Sequence, residues 1–257
     1  MDDICYIGLE VNSRPPHYTV IGINSDRTCL LDLTCSWEDL AESLEPFKNV
    51  CIAVNTAITP NVDFLKTSHC KKHKPGKWPD IRRIEYELEE CGAPIYHTPK
   101  KKRNLLASQG YGFELVNNLK ALGFEDIEND GEKTFLEVPA ETAFWSIERK
   151  PLFEGANFIG RIQRQLLLLE IGLELPDPMN FFEEITQFKL LTGNAPLDMI
   201  YELSRLNAWM NAYTALQVKI NPSRCAKFGY KQEGFLYLPF PLPDWEDEGQ
   251  SIQNGLF

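Results

Sequence analysis

Four polar side chains stand where buried backbone runs out, and groups so placed need either a partner or a task. Glu137 ends the stretch Lys133-Thr-Phe-Leu-Glu137-Val-Pro139, in which Thr134 to Glu137 read as a strand of β-branched and aromatic residues. Pro139 has no N–H to offer a ladder and stops it. A carboxylate there is costly to desolvate unless a cation or hydrogen bonds meet it. The position just beyond the carboxyl ends of strands is also where open α/β sheets gather ligands. Glu10 lies near the end of a first strand over residues 4–11, and Asn55 closes the apolar run Val50-Cys-Ile-Ala-Val54. On a helix predicted over 196–217, an advance of ~100° per residue sets Asn207 and Asn211 opposite Glu202 and Arg205, on the inward face. A buried asparagine must satisfy up to four hydrogen bonds. Each residue also has a plain structural reading: an acid paired with a Lys or Arg, and a core asparagine tying a helix to strand carbonyls.

A second set is cationic. Residues 66–103 carry eleven basic against five acidic side chains, a local excess of six in a chain whose net charge is −11. Lys71, Lys72, Lys74, Arg82, Lys100, Lys101, Lys102 and Arg103 could form a phosphate-facing rim, or simply a solvated loop. Within it His69-Cys70-x-x-His73, with Cys91 or His97, offers zinc ligands. Zinc motifs show two close ligand pairs, whereas this one has a triplet and two strays, so exposed histidines are the better reading.

The elements that must position these groups follow from the pattern. Residues 4–11, 17–23 and 29–33, joined by short turns, form an antiparallel meander. Ser36-Trp-Glu-Asp39 fits a capping box opening a short helix to Leu44, and the apolar run 50–54 reads as a strand covered on both faces. The order is βββαβ. Residues 56–80 form a long basic loop. Helices are expected at 81–91 and 110–122, the second stopped by Gly123, then at 157–172, 178–191 and 196–217, with a last strand over 234–238. Residues 244–257 are acidic and polar, a disordered tail. No repeat or linker divides the chain, giving one domain over 1–243. Composition is that of a globular protein, 43% hydrophobic and 25% charged. No apolar run approaches the ~20 residues that span a bilayer. Seven cysteines without a CxxC pair point to reduced thiols in a cytoplasm.

The layout of Glu10, Asn55, Glu137 and Asn207 resembles the ribonuclease H-like superfamily. More closely, the chain resembles the family called domain of unknown function 429, a predicted-nuclease branch of it. The family's first-strand Gly-x-Asp is echoed by Gly8-Leu9-Glu10, its Ile-Asp-x-Pro by Val54-Asn55-Thr56-Ala57, and its Glu-x-x-Pro by Glu137-Val138-Pro139. Its Gly-Arg…Arg…Leu helix is matched by Gly160-Arg161, Arg164 and Leu166, and its Asp-Ala-x-x-x-Ala-x-x-Ala helix by Asn207-Ala208, Ala212 and Ala215. A closing Glu-Gly-x-Ile-x-x-Pro is matched by Glu233-Gly234 to Pro239. The resemblance implies an α/β fold with a ribonuclease H-like mixed sheet flanked by helices, its first three strands an antiparallel meander and its fourth and fifth parallel. It also implies four converging catalytic positions, Glu10, Asn55, Glu137 and Asn207, that hold two divalent metals for phosphodiester hydrolysis.

Here two of the four expected acids are amides. Magnesium and manganese bind charged oxygen ligands and weaken as charge is removed, and a two-metal site needs both ions ~3.5–4 Å apart. One reading is an inactive or strongly impaired descendant whose amides close a metal-free polar cluster with Glu10 and Glu137, keeping the fold to bind a nucleic acid or a protein. The other is a nuclease with an altered site, Glu10 and Glu137 holding weakly bound Mg or Mn, Asn55 and Asn207 positioning, and the basic rim gripping phosphates. The first is favoured. Actin-like phosphotransferases share the opening strand order but need a phosphate-cradling turn, and Asn12-Ser-Arg-Pro-Pro16 lacks the donors.

Overall fold

A computed structural model describes residues 4–66, 80–129 and 131–241. Lys71, Lys72, Lys74, the His69-Cys70-x-x-His73 triplet and the acidic tail lie outside the described residues. The chain is α/β, with a mixed eight-stranded sheet flanked by helices. Strands β1 (Cys5–Val11), β2 (Tyr18–Ile23) and β3 (Cys29–Cys35) form the antiparallel meander, and β4 (Val50–Asn55) and β6 (Lys133–Glu137) extend it in parallel. The two-residue β5 (Glu125–Asp126) borders the start of β6, and β8 (Gly234–Leu238) its last residue. An antiparallel β7 (Ala226–Tyr230) completes the order β3-β2-β1-β4-β6-β8-β7.

Helices cover both faces. On one lie α1 (Trp37–Leu44) and α3 (Ala107–Ala121), whose Leu40, Leu44, Leu115 and Leu119 pack with Leu9, Ile52, Val54 and Phe135. On the other lies α8 (Leu203–Ile220), packed with Tyr6, Ala53, Leu136 and Val138. α8 approaches so closely that a Cβ on Gly8 would collide with the backbone of Ala208 and Ala212. Glycine on the strand and alanine on the helix are what that approach requires. The Ser36–Asp39 capping box is present, and Gly123 takes a left-handed φ of 83° after α3.

Four stretches differ from the sequence expectation. Pro139 does not simply end a strand: it caps α4 (Ala140–Glu148), where a missing N–H carries little penalty. The helix expected over 178–191 is two short ones, α6 (Asn180–Glu184) and α7 (Gln187–Leu191). They are split at the extended pair Ile185-Thr186, whose Thr186 side chain accepts from the Lys189 N–H and starts the second. The last helix begins at Leu203 rather than 196, with a single 3-10 turn over Leu197–Met199 before it. The strand β7 gives little alternation to read, because Gly229 sits within it at φ 130°. The remaining helices are α2 (Arg83–Glu90) and α5 (Phe158–Glu170). Among the described residues no helix is long and apolar enough to cross a membrane.

Candidate functional site

Strand register sorts the four candidate residues. Glu10 stands opposite Asn55 on β4 and Thr19 on β2, whereas Glu137 stands opposite Val54. Paired residues share a face, and successive residues along a strand take opposite faces. Asn55 and Val54 therefore point opposite ways, and so do Glu10 and Glu137. Glu10 and Asn55 look toward α8, which supplies Asn207. Glu137 looks toward the α3 face. The structure brings three of the four together and separates the fourth.

Glu137 is 1% exposed and has its own company. Its Oε2 accepts from the Ile58 N–H (3.0 Å) and from Arg82 Nη1 (3.0 Å); its Oε1 accepts from the Tyr96 hydroxyl (2.6 Å) and from Arg82 Nη2. Arg82 is also 1% exposed, and its Nε donates to Glu85 Oε1 at 2.7 Å. Glu85 in turn accepts from the backbone N–H groups of Arg82 (3.1 Å) and Thr98 (2.8 Å) and from the Thr98 hydroxyl (2.5 Å). Buried Glu233 accepts from the Arg83 N–H at 2.9 Å and so caps the same end of α2, where the helix dipole favours an anion. Burial alone would pull the Arg82 pKa down, but Glu137 and Glu85 outweigh it and hold the guanidinium charged, well above its ordinary value. Burial and the Glu137 carboxylate raise Tyr96, so its hydroxyl stays a donor. Arg82 is therefore no part of a phosphate-facing rim. It is the buried cation between two carboxylates, and the plain structural reading of Glu137, an acid met by an arginine, describes its surroundings.

The other cluster is less complete. Asn55 Nδ2 donates to Glu10 Oε2, and its Oδ1 accepts the Ala140 N–H at the start of α4 (2.9 Å). Asn207, on α8, lies near enough for its amide to favour the charged form of Glu10. Burial raises the Glu10 carboxyl from 4.5 to about 8, against the pull of the two amides. One turn along α8, Asn211 donates to the Leu9 carbonyl at 3.4 Å. Yet the Oδ1 atoms of Asn207 and Asn211, both buried, have no hydrogen-bond partner among the described residues. On the β2 side, Thr19 stands opposite Glu10 and accepts from the Asn12 amide at 3.0 Å. A dinuclear centre needs several carboxylates between its ions. The Glu10 cluster presents one carboxyl, the occupied amide oxygen of Asn55 and the neutral amide oxygen of Asn207, a donor set that does not fit two dications. Among the described residues no group of three or more His, Cys, Asp or Glu could hold a metal ion.

On the rim, Lys101, Lys102 and Arg103 are exposed. Lys100 is engaged, its Nζ 2.6 Å from Asp63 and its backbone N–H donating to Asp80 at 2.8 Å. Sequence reasoning missed Glu85 and Tyr96 as partners. The first carried a readable signal in the spacing Arg82-x-x-Glu85 at a helix start, where a carboxylate three residues on reaches back to accept the N-cap N–H. Tyr96 comes from an irregular segment and carried none. The chain matches no protein-family model, no curated protein and no solved structure.

Proposed function

We propose that the chain is a ribonuclease H-like protein whose hydrolytic site is dismantled and whose fold serves binding rather than phosphodiester cleavage. The antiparallel meander followed by parallel β4 and β6 supports the fold reading. The observation that carries the functional one is the diversion of Glu137 to Arg82 on the opposite face. It leaves Glu10 the single carboxylate among the positions expected to converge. With Asn55 and Asn207 neutral, the pocket is a hydrogen-bonding site whose unpaired amide oxygens call for donors from water or a polar ligand. The test is hydrolysis of single- and double-stranded DNA and RNA in millimolar Mg²⁺ or Mn²⁺. The expected outcome is cleavage no greater than that of Glu10→Ala. Divalent-dependent cleavage that Glu10→Ala abolishes would overturn the reading.

A further inference from the structure

The excursion between α5 and α8 is unlike the rest of the surface. Among the described residues, six of the thirteen exposed large apolar side chains fall within nineteen residues of it: Met179, Phe182, Phe188, Leu190, Leu191 and Leu197. Its inner side is anchored, since Phe181 packs with Ile162 and Ile200, and the Phe158, Phe181 and Phe182 rings form an edge-to-face cluster with centroids 5.1–6.5 Å apart. Its outer side is not. α7 buries none of its residues, and Phe188 and Leu191 stand 74% and 79% exposed. Exposed apolar side chains gathered on one short excursion are the surface from which interaction sites are built.

Charge selects the occupant. Residues 170–202 hold seven acidic side chains and one basic, Lys189, which is itself paired with Glu184 at 3.3 Å. Glu174, Asp177, Glu183 and Asp198 are exposed on the same excursion. Such a rim repels nucleic acid, an anionic bilayer, a second copy of a chain at −11, and the chain's own tail with Asp244, Glu246, Asp247 and Glu248. It attracts a partner that pairs an apolar face with Lys or Arg flanks. We propose that residues 178–198 dock a basic amphipathic helix of a partner protein, its apolar stripe on Phe182, Phe188 and Leu191 and its cations on the surrounding carboxylates. The surface lies on the 178–198 excursion rather than in the Glu10 pocket, and its occupancy does not depend on whether that pocket is hydrolytic.

The test uses the full chain and a synthetic 18-residue helix of leucine and lysine, with a leucine and glutamate helix of identical apolar stripe as its counterpart. The first should bind and weaken with salt; the second should not. The double variant Phe188→Ser/Leu191→Ser, at exposed positions that leave the net charge unchanged, should lose at least tenfold in affinity. Leu30→Ser/Leu122→Ser, on exposed apolar residues elsewhere, should lose none. Equal binding of both helices, or equal loss in both double variants, would overturn the proposal. So would a dimer in sedimentation that Phe188→Ser/Leu191→Ser dissociates, which would make the occupant a second copy.

Discussion

Glu137 and Glu10 end strands two apart in one sheet, and their surroundings differ in kind. Around Glu137, each acceptor meets a donor: a guanidinium, a phenol and a backbone N–H, with Glu85 holding the same arginine from its other edge. Around Glu10 no cation among the described residues offsets burial, the carboxyl is pushed toward neutrality, and the buried amide oxygens of Asn207 and Asn211 have no partner among the described residues. A closed network of charges fixes structure, and breaking it leaves a buried charge alone. An open network of neutral groups has capacity left for a ligand. The residues most suggestive of chemistry in the sequence are thus divided between a strut and a pocket.

The largest effect should come from breaking the strut. Arg82→Met leaves Glu137 and Glu85 buried without their cation and should cost about 3–5 kcal/mol in urea unfolding. A loss near zero would mean that the network is no better closed than the pocket. Next is Gly8→Ala, which forces α8 away from β1 beside Glu10; overpacking of this sort costs about 1–3 kcal/mol. Its effect should exceed that of a Gly110→Ala control, where nothing lies within 4 Å of the added methyl.

The Glu10 effect should be smaller and depends on pH. With the folded carboxyl raised from 4.5 to about 8, the folded state holds a proton that the unfolded state releases. Its contribution is full below pH ~4.5 and is lost as pH rises toward about 8. Glu10→Gln should flatten that part of the stability profile and gain relative to the parent at pH 8.5. A parallel profile would place the carboxyl in water. The smallest effect concerns the rim. Replacing Lys101, Lys102 and Arg103 by Ala should leave stability unchanged while lowering the salt at which the protein leaves a phosphate resin.

The meander, α1, β4 and β8 were legible because their patterns are local: period-two alternation, a capping box, a continuous apolar run. Helical periodicity put Asn207 and Asn211 on an inward face of α8, and both are buried, but so is every residue from Leu206 to Gln217, so the helix is covered on all sides there. The separation of Glu137 from Glu10 was not legible. It depends on a one-residue register, Val54 rather than Asn55 opposite Glu137, and a shift of one residue exchanges the faces of a strand. Arg82 was misplaced because a basic run is usually solvated, and only the three-dimensional convergence of Glu85, Glu137 and Tyr96 makes its burial favourable.

Calorimetric titration with Mn²⁺ of the parent and of Asn55→Asp/Asn207→Asp tests most directly the claim that the pocket gathers Glu10, Asn55 and Asn207 but holds too little charge for divalent ions. The parent should stay silent to millimolar Mn²⁺, and the double variant, with three carboxylates facing one another, should bind. Micromolar binding by the parent, or no gain in the double variant, would contradict it.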